Sequence, residues 1–190
     1  MTLSNIENLI LSKPLTARMK SDGEAVSLEE YQAVGGYQGL RGALKFSPND
    51  VMDTVKKAGL KGRGGAGFST GLKWSFVPRK EQNSEPRYLI TNADEMEPGT
   101  FKDRWLMEGD PHQLLEGMMI AAYAIGAEIA YIFLRADYNL SAERLQNAID
   151  EANQNHLLGK NILGSDFNLQ IYLHTSAGRY ICGEETALIN

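Results

Sequence analysis

At 190 residues, 43% apolar and 23% charged with both signs mixed, the chain has the composition of a folded protein with one good core. Its net charge of −5 speaks against a nucleic-acid partner, which would want a basic surface. No apolar run approaches the ~20 residues of a membrane span.

Met1 to Lys20 lack the charged-then-apolar pattern of a signal peptide. The single cysteine, Cys182, excludes an internal disulfide and any cluster ligated by cysteines of this chain alone. These features fit the cytoplasm or its membrane-facing periphery.

In chain order, residues 1–46 are mixed and turn-rich, with Gly35-Gly36, Gly39 and Gly42, and read as an N-terminal extension packed over the main domain. From Ser47 the pattern sharpens. Ser47 is an N-cap, Pro48 occupies the first helical position and Asp50 the first turn; Val51, Val55 and Ala58 follow at helical spacing until Gly59. Three β-rich runs follow, at 87–92, 129–134 and 169–173. The second is nearly continuous apolar, as in a strand buried on both faces.

Asp110-Pro111 caps a helix bearing Leu114, Leu115, Met118, Ala122 and Ile125, closed by Gly126. Ser141 is expected to cap another, with Leu140 and Leu145 as a hydrophobic staple and Ala148, Ile149 and Ala152 continuing the face. Gly183 to Asn190 read as a helix beginning, and a chain ending there reads as a fragment of a longer protein. Strands alternating with helices predict an α/β fold with a parallel sheet.

Between the first helix and the first strand lies Lys61-Gly62-Arg63-Gly64-Gly65-Ala66-Gly67-Phe68-Ser69-Thr70-Gly71: five glycines, two cations and one aromatic ring in eleven residues. Such a loop lets backbone N–H groups approach a phosphate closely. Gly62-x-Gly64-x-x-Gly67 matches the dinucleotide fingerprint, but a helix precedes it where that fingerprint wants a strand. A Walker A loop fails too, because Phe68-Ser69 stands where Lys-Ser/Thr is needed.

In an open parallel sheet, ligands sit beyond the carboxyl ends of the strands. Two dense polar segments are expected there, 92–99 and 175–185. Asp94, Glu95 and Glu97 form either a solvated acidic loop or acceptors for sugar hydroxyls. Glu184 and Glu185 either compensate a helix dipole or read a ribose. Lys73 is a phosphate or flavin partner or a plain surface lysine, and Phe68 and Phe76 either stack on heterocycles or join the core. His112, His156 and His174 have no partners at ligand or catalytic spacing.

Together, segments 62–74, 92–100 and 178–188 resemble the flavin- and NADH-binding subunit of respiratory NADH:quinone oxidoreductase, complex I. The likeness runs from about Pro14 to Asn190, as an N-terminal fragment of that subunit. It implies a Rossmann-like domain over 47–190, truncated at its C-terminal end, holding FMN with NADH above it. By matching position, Gly62, Arg63, Gly64, Lys73, Asn92, Asp94, Glu95, Tyr180, Gly183 and Glu184 would line the FMN site. Phe68, Phe76 and Glu97 would face NADH, and Glu185 the adenosine ribose, where its charge would disfavour NADPH. Gly65, Ala66, Gly67, Ser69, Thr70 and Gly71 complete the expected cofactor loop.

The chemistry so implied is hydride transfer from NADH to FMN, with no catalytic side chain; the protein holds the two rings roughly 3–3.5 Å apart. Electrons would pass to iron–sulfur clusters and on to quinone. The [4Fe–4S] ligands of the complete subunit are absent from this sequence, so no metal site is expected in this chain. The implied partners are the other peripheral-arm subunits, including a small [2Fe–2S] subunit, on the cytoplasmic face of a bacterial inner membrane. A diaphorase subunit of an NAD-linked hydrogenase or formate dehydrogenase shares these motifs, and a non-redox nucleotide-binding module is the alternative of a different class.

Overall fold

Among the described residues, three parallel strands carry the fold: β1 (Tyr88–Ala93), β2 (Ile129–Leu134) and β3 (Gln170–Thr175), in the order β1-β2-β3. The computed structural model describes residue 13 and residues 15–78, 85–183 and 187–188. The expected helix over 183–190 therefore falls largely outside the described residues.

Among the described residues, four short helices come ahead of the sheet: α1 (Leu28–Ala33), α2 (Gln38–Ala43), α3 (Pro48–Lys57) and α4 (Thr70–Trp74). After β1 the chain forms α5 (Lys102–Gly109) and α6 (Pro111–Ile125); α7 (Asn139–Gln154) joins β2 to β3. Single-turn 3₁₀ segments follow at Ile162–Gly164 and Tyr180–Gly183.

Local chemistry explains the boundaries. The Ser47 hydroxyl accepts from the Asp50 amide while Asp50 accepts from the Ser47 amide, a reciprocal cap on α3. Asp110 caps α6 by accepting from the Gln113 amide, and Gly126 ends it at φ 72°. α7 departs from expectation. It begins at Asn139, so Ser141 is not its cap but lies one turn inside, buried, donating to the Glu108 carboxylate at 3.0 Å. Leu140 is correspondingly exposed.

α6 and α7 pack on one another and on one face of the sheet. Leu89, Thr91 and Ala93 of β1, Ala130, Ile132 and Leu134 of β2, and Ile171 and Leu173 of β3 alternate toward them. The buried cluster takes in Leu115, Met118, Met119 and Ala122 of α6 and Leu145, Ala148, Ile149 and Ala152 of α7. Val26, Leu28, Tyr31, Tyr37 and Leu40 belong to the same cluster.

A buried carboxylate, Glu116 in the middle of α6, ties this early segment to the core. It is 8% exposed and accepts from the Tyr31 hydroxyl at 2.5 Å, the Tyr37 amide at 2.8 Å and the Leu40 amide at 2.9 Å. Gly39 makes the seat possible: a Cβ there would stand 2.8 Å from Glu116 Oε1. The buried His112 does have partners, drawn from distant segments. Tyr37 Oη lies 2.9 Å from its Nδ1 and Glu151 2.9 Å from its Nε2.

At the start of α1, Lys20 pairs with Glu30 at 2.7 Å and the Ser27 amide donates to Glu30 at 2.8 Å. The Lys20 bond, then the Ser27 amide, hold the Glu30 carboxyl below its ordinary 4.5, at about 2. A carboxyl depressed by folding stabilises above its unfolded pKa and stops doing so as pH falls through the folded one. α1 should therefore begin to fray as pH falls below 4.5 and lose this cap near 2. Amide exchange in α1, with the Glu30 carboxyl followed by NMR, checks this; a Glu30 titration at its ordinary value would contradict it.

Candidate functional site

The glycine loop is closed at its base. Lys61 and Ser69 form an antiparallel bridge, the Gly62 amide donates to Phe68 O at 2.9 Å, and the Thr70 amide to Leu60 O at 2.9 Å. The helix α3 leads into it, as the sequence indicates, and α4, which the sequence reading did not anticipate, leads out. Ser69 caps α4 through the Leu72 amide.

Within the loop the glycines divide into two kinds. A Cβ added at Gly64, Gly65 or Gly67 would meet nothing within 4 Å, and at Gly62 only Phe68 O at 3.8 Å. Gly67 also holds φ 70°, which an L side chain rarely adopts. Gly71 is the opposite case: buried, with a Cβ position 2.6 Å from the Lys56 amide nitrogen. It is a contact between α3 and α4, set apart from the open surface. Arg63, Lys73 and Ala66 are exposed, and Phe68 and Phe76 stand 52% and 65% exposed with centroids 6.1 Å apart.

The parallel register puts the ends of β1, β2 and β3 at one edge, Ala93 beside Leu134 beside Thr175. Both polar segments leave from there. The Tyr180 hydroxyl donates to Glu97, joining the two loops, and this bond raises the Tyr180 pKa above its ordinary value. Arg63, Gly64, Asn92 and Ala93 all line a groove of about 850 Å³ that borders β1 and α6. So the glycine loop, the acidic segment and the Tyr180 turn converge on one end of the sheet.

The three acidic residues after β1 separate by environment. Glu97 is exposed. Asp94 is 6% exposed, with its amide bonded to the Asn92 side chain at 3.1 Å. Glu95, 7% exposed, caps α5 from a distance: its carboxylate accepts from the Asp103 and Arg104 amides at 3.0 and 3.2 Å and from the Tyr138 hydroxyl at 3.1 Å. Arg135 donates to the Glu95 carbonyl at 2.8 Å. Glu95 thus holds the acidic loop in place and leaves Asn92 and Glu97 to face outward. Gly183 closes the Tyr180–Gly183 turn, and Glu184 and Glu185 lie outside the described residues.

The open glycines, with exposed Arg63 and Lys73 close in sequence, are a donor set suited to a phosphate. Residues 55–190 match the Nuo51 FMN-binding domain of complex I. The chain belongs to that family.

Among relatives of this Nuo51 domain, the NADH-quinone oxidoreductase F subunit of Escherichia coli K12 is 56% identical over 189 residues, which are 99% of this chain and 42% of that protein. The F subunit of Aquifex aeolicus is 57% identical over 163 residues, 86% of this chain and 38% of that one. The chain therefore spans about two-fifths of the length of such relatives. A crystal structure of NAD+-reducing [NiFe]-hydrogenase in the H2-reduced state superposes with a TM-score of 0.69 at 32% identity, covering all of this chain and 34% of that one. The α/β fold with a parallel sheet is common to both.

Proposed function

We propose that this chain forms the flavin-facing part of an NADH dehydrogenase, the electron-input subunit of a bacterial NADH–quinone oxidoreductase. The observation that carries the proposal is the groove shared by the glycine loop and the end of β1, which Arg63, Gly64 and Asn92 all line. A phosphate-sized anion at the loop would find backbone N–H groups unobstructed by side chains, with Arg63 and Lys73 to neutralise it. FMN, when bound, supplies hydride acceptance and release of electrons one at a time.

The protein's own residues bind and orient. Phe68 and Phe76 offer two exposed ring faces for a flat heterocycle, and Glu97, held by Tyr180, an acceptor for ribose hydroxyls. Asp94 borders the same end of the sheet, and Glu184 and Glu185 follow the Tyr180 turn in sequence. Among the described residues no helix is long and apolar enough to cross a membrane. Assembly through other subunits, a small [2Fe–2S] subunit among them, at the cytoplasmic face is part of the proposal, with quinone as the final acceptor.

A complete subunit is the protein to test: a chimera in which this chain replaces the matching region of the E. coli F subunit. Its spectrum should show a flavin band that NADH bleaches without oxygen; a colourless purified chimera would overturn the proposal. The 190-residue chain alone is expected to bind FMN weakly or not at all, and yellow flavin co-eluting one-to-one in gel filtration would contradict that. The hydrogenase likeness supports a second reading, a diaphorase subunit, which the partner subunits co-purifying with the complete protein would separate.

A further inference from the structure

Charge is unevenly distributed along this chain. Residues 54–80 hold seven of the nineteen lysines and arginines and none of the twenty-four acidic residues, so the remainder is strongly acidic. Five of the seven lie among the described residues: Lys56 and Lys57 in the last turn of α3, Lys61 and Arg63 on the glycine loop, and Lys73 on α4. All five are exposed, and among the described residues none pairs with a carboxylate. Elsewhere pairing is common: Arg18, Lys20, Lys102, Arg104, Arg135 and Arg144 each have an acidic partner.

Packing gathers the five cations into one unit. α4 is pressed on the last turn of α3, where a Cβ at Gly71 would stand 2.7 Å from the Lys56 Cα, and the Lys61–Ser69 bridge ties the base of the loop between the two helices. Lys56 and Lys57 complement the C-terminal dipole of α3 and Lys73 that of α4, whereas Lys61 and Arg63 end no helix. Like charges crowded together without counter-charges repel one another, so this cluster suits an anion. The acidic loop at the same end of the sheet has the reverse sign, with Glu97 exposed. A dinucleotide carries its negative charge on a central diphosphate and its hydroxyls on the flanking sugars. Approaching this end of the sheet, it is drawn by its phosphates toward the glycine loop and turns its hydroxyls to Glu97.

We propose that Lys56, Lys57 and Lys61 form an electrostatic entrance that captures the anionic dinucleotide and delivers it to the glycine loop. The three lysines set how fast NADH arrives and leave hydride transfer itself unaffected; Arg63 and Lys73 serve the bound phosphate. The entrance rests on the flavin reading. Steering of this kind raises association by about 10- to 1,000-fold at low salt and fades once the Debye length falls to about 3 Å.

Stopped-flow bleaching of the flavin in the E. coli chimera tests the entrance, with NADH and with reduced nicotinamide riboside, which donates the same hydride but carries no diphosphate. In the Lys56→Glu, Lys57→Glu, Lys61→Glu triple variant the second-order rate constant for NADH at about 10 mM salt should fall at least about tenfold, and the gap should close to within about twofold near 1 M. The limiting rate at saturating NADH, the flavin content and the rate constant for the riboside should stay unchanged. Equal slowing of both donors, or a loss that persists at high salt, would overturn the proposal. So would reversals that leave NADH capture intact while stripping a neighbouring subunit from the assembled complex, which would give the cluster to an acidic partner. If the triple variant does not fold, the unaltered chimera decides. Raising salt from about 10 mM to about 1 M should slow NADH at least about tenfold and the riboside less than about twofold, and equal salt effects overturn the entrance. A chimera without reducible flavin would instead remove the flavin reading, and the entrance with it.

Discussion

Replacing Glu116 with Ala should cost the chain about 3–5 kcal/mol, enough to unfold much of a domain whose whole stability is about 5–15 kcal/mol. The substitution removes three hydrogen bonds at once and leaves the Tyr31 hydroxyl and the Tyr37 and Leu40 amides buried without acceptors. Tyr31 and Tyr37 are 3% and 0% exposed, so water does not replace the lost carboxylate. Burial and the neighbouring Glu116 both raise the Tyr31 pKa, so its hydroxyl stays protonated and donating across the working range.

Urea unfolding of the variants measures the effect. Tyr31→Phe, which removes one donor, should cost about 1 kcal/mol, and the Glu116→Ala, Tyr31→Phe double variant should cost less than the sum. A Glu116→Ala loss below about 1 kcal/mol would show that the carboxylate does not hold α1 and α2 to the core.

Gly64→Glu in the complete chimeric subunit should weaken FMN at least 100-fold, about 2.7 kcal/mol, without altering the melting temperature of the apoprotein. Its Cβ enters open space, so nothing in the fold resists it, while its carboxylate would oppose a bound phosphate. Gly71→Ala should behave in the reverse way. The added carbon would fall 2.6–2.8 Å from the Lys56 backbone and Cβ, forcing α4 away from α3 at a cost of about 1–3 kcal/mol. Flavin fluorescence titrations beside thermal melts separate the two. A Gly64→Glu protein that keeps its flavin would remove the glycine loop from the site.

These two glycines show where sequence was sufficient and where it was not. The loop's composition announced an anion site, yet nothing in the string separated Gly64 from Gly71; that distinction depends on which glycine has another helix pressed against it. The strands were legible because alternation and short apolar runs report burial directly: 129–134 coincides with β2, and the other two runs lie within two residues of β1 and β3. Ser141 misled because a serine ahead of an apolar face resembles a cap. Its hydroxyl is instead spent on Glu108, a partner 33 positions away.

Helix α5 was not anticipated, since no side chain at its own start caps it. Glu95 does so from the preceding loop. α1 left a fairer signal, for Ser27-Leu28-Glu29-Glu30 has capping-box spacing.

By itself the sequence determined the α/β class, the polar segments that end β1 and β3, and the family, because local propensity, periodicity and long contiguous motifs are written in neighbouring residues. Only the tertiary structure decided that Glu95 and Glu116 act as scaffolding carboxylates and that Tyr180 reaches Glu97. Each of these depends on groups brought together from far along the chain, and a buried charge is tolerated only where such distant donors converge on it.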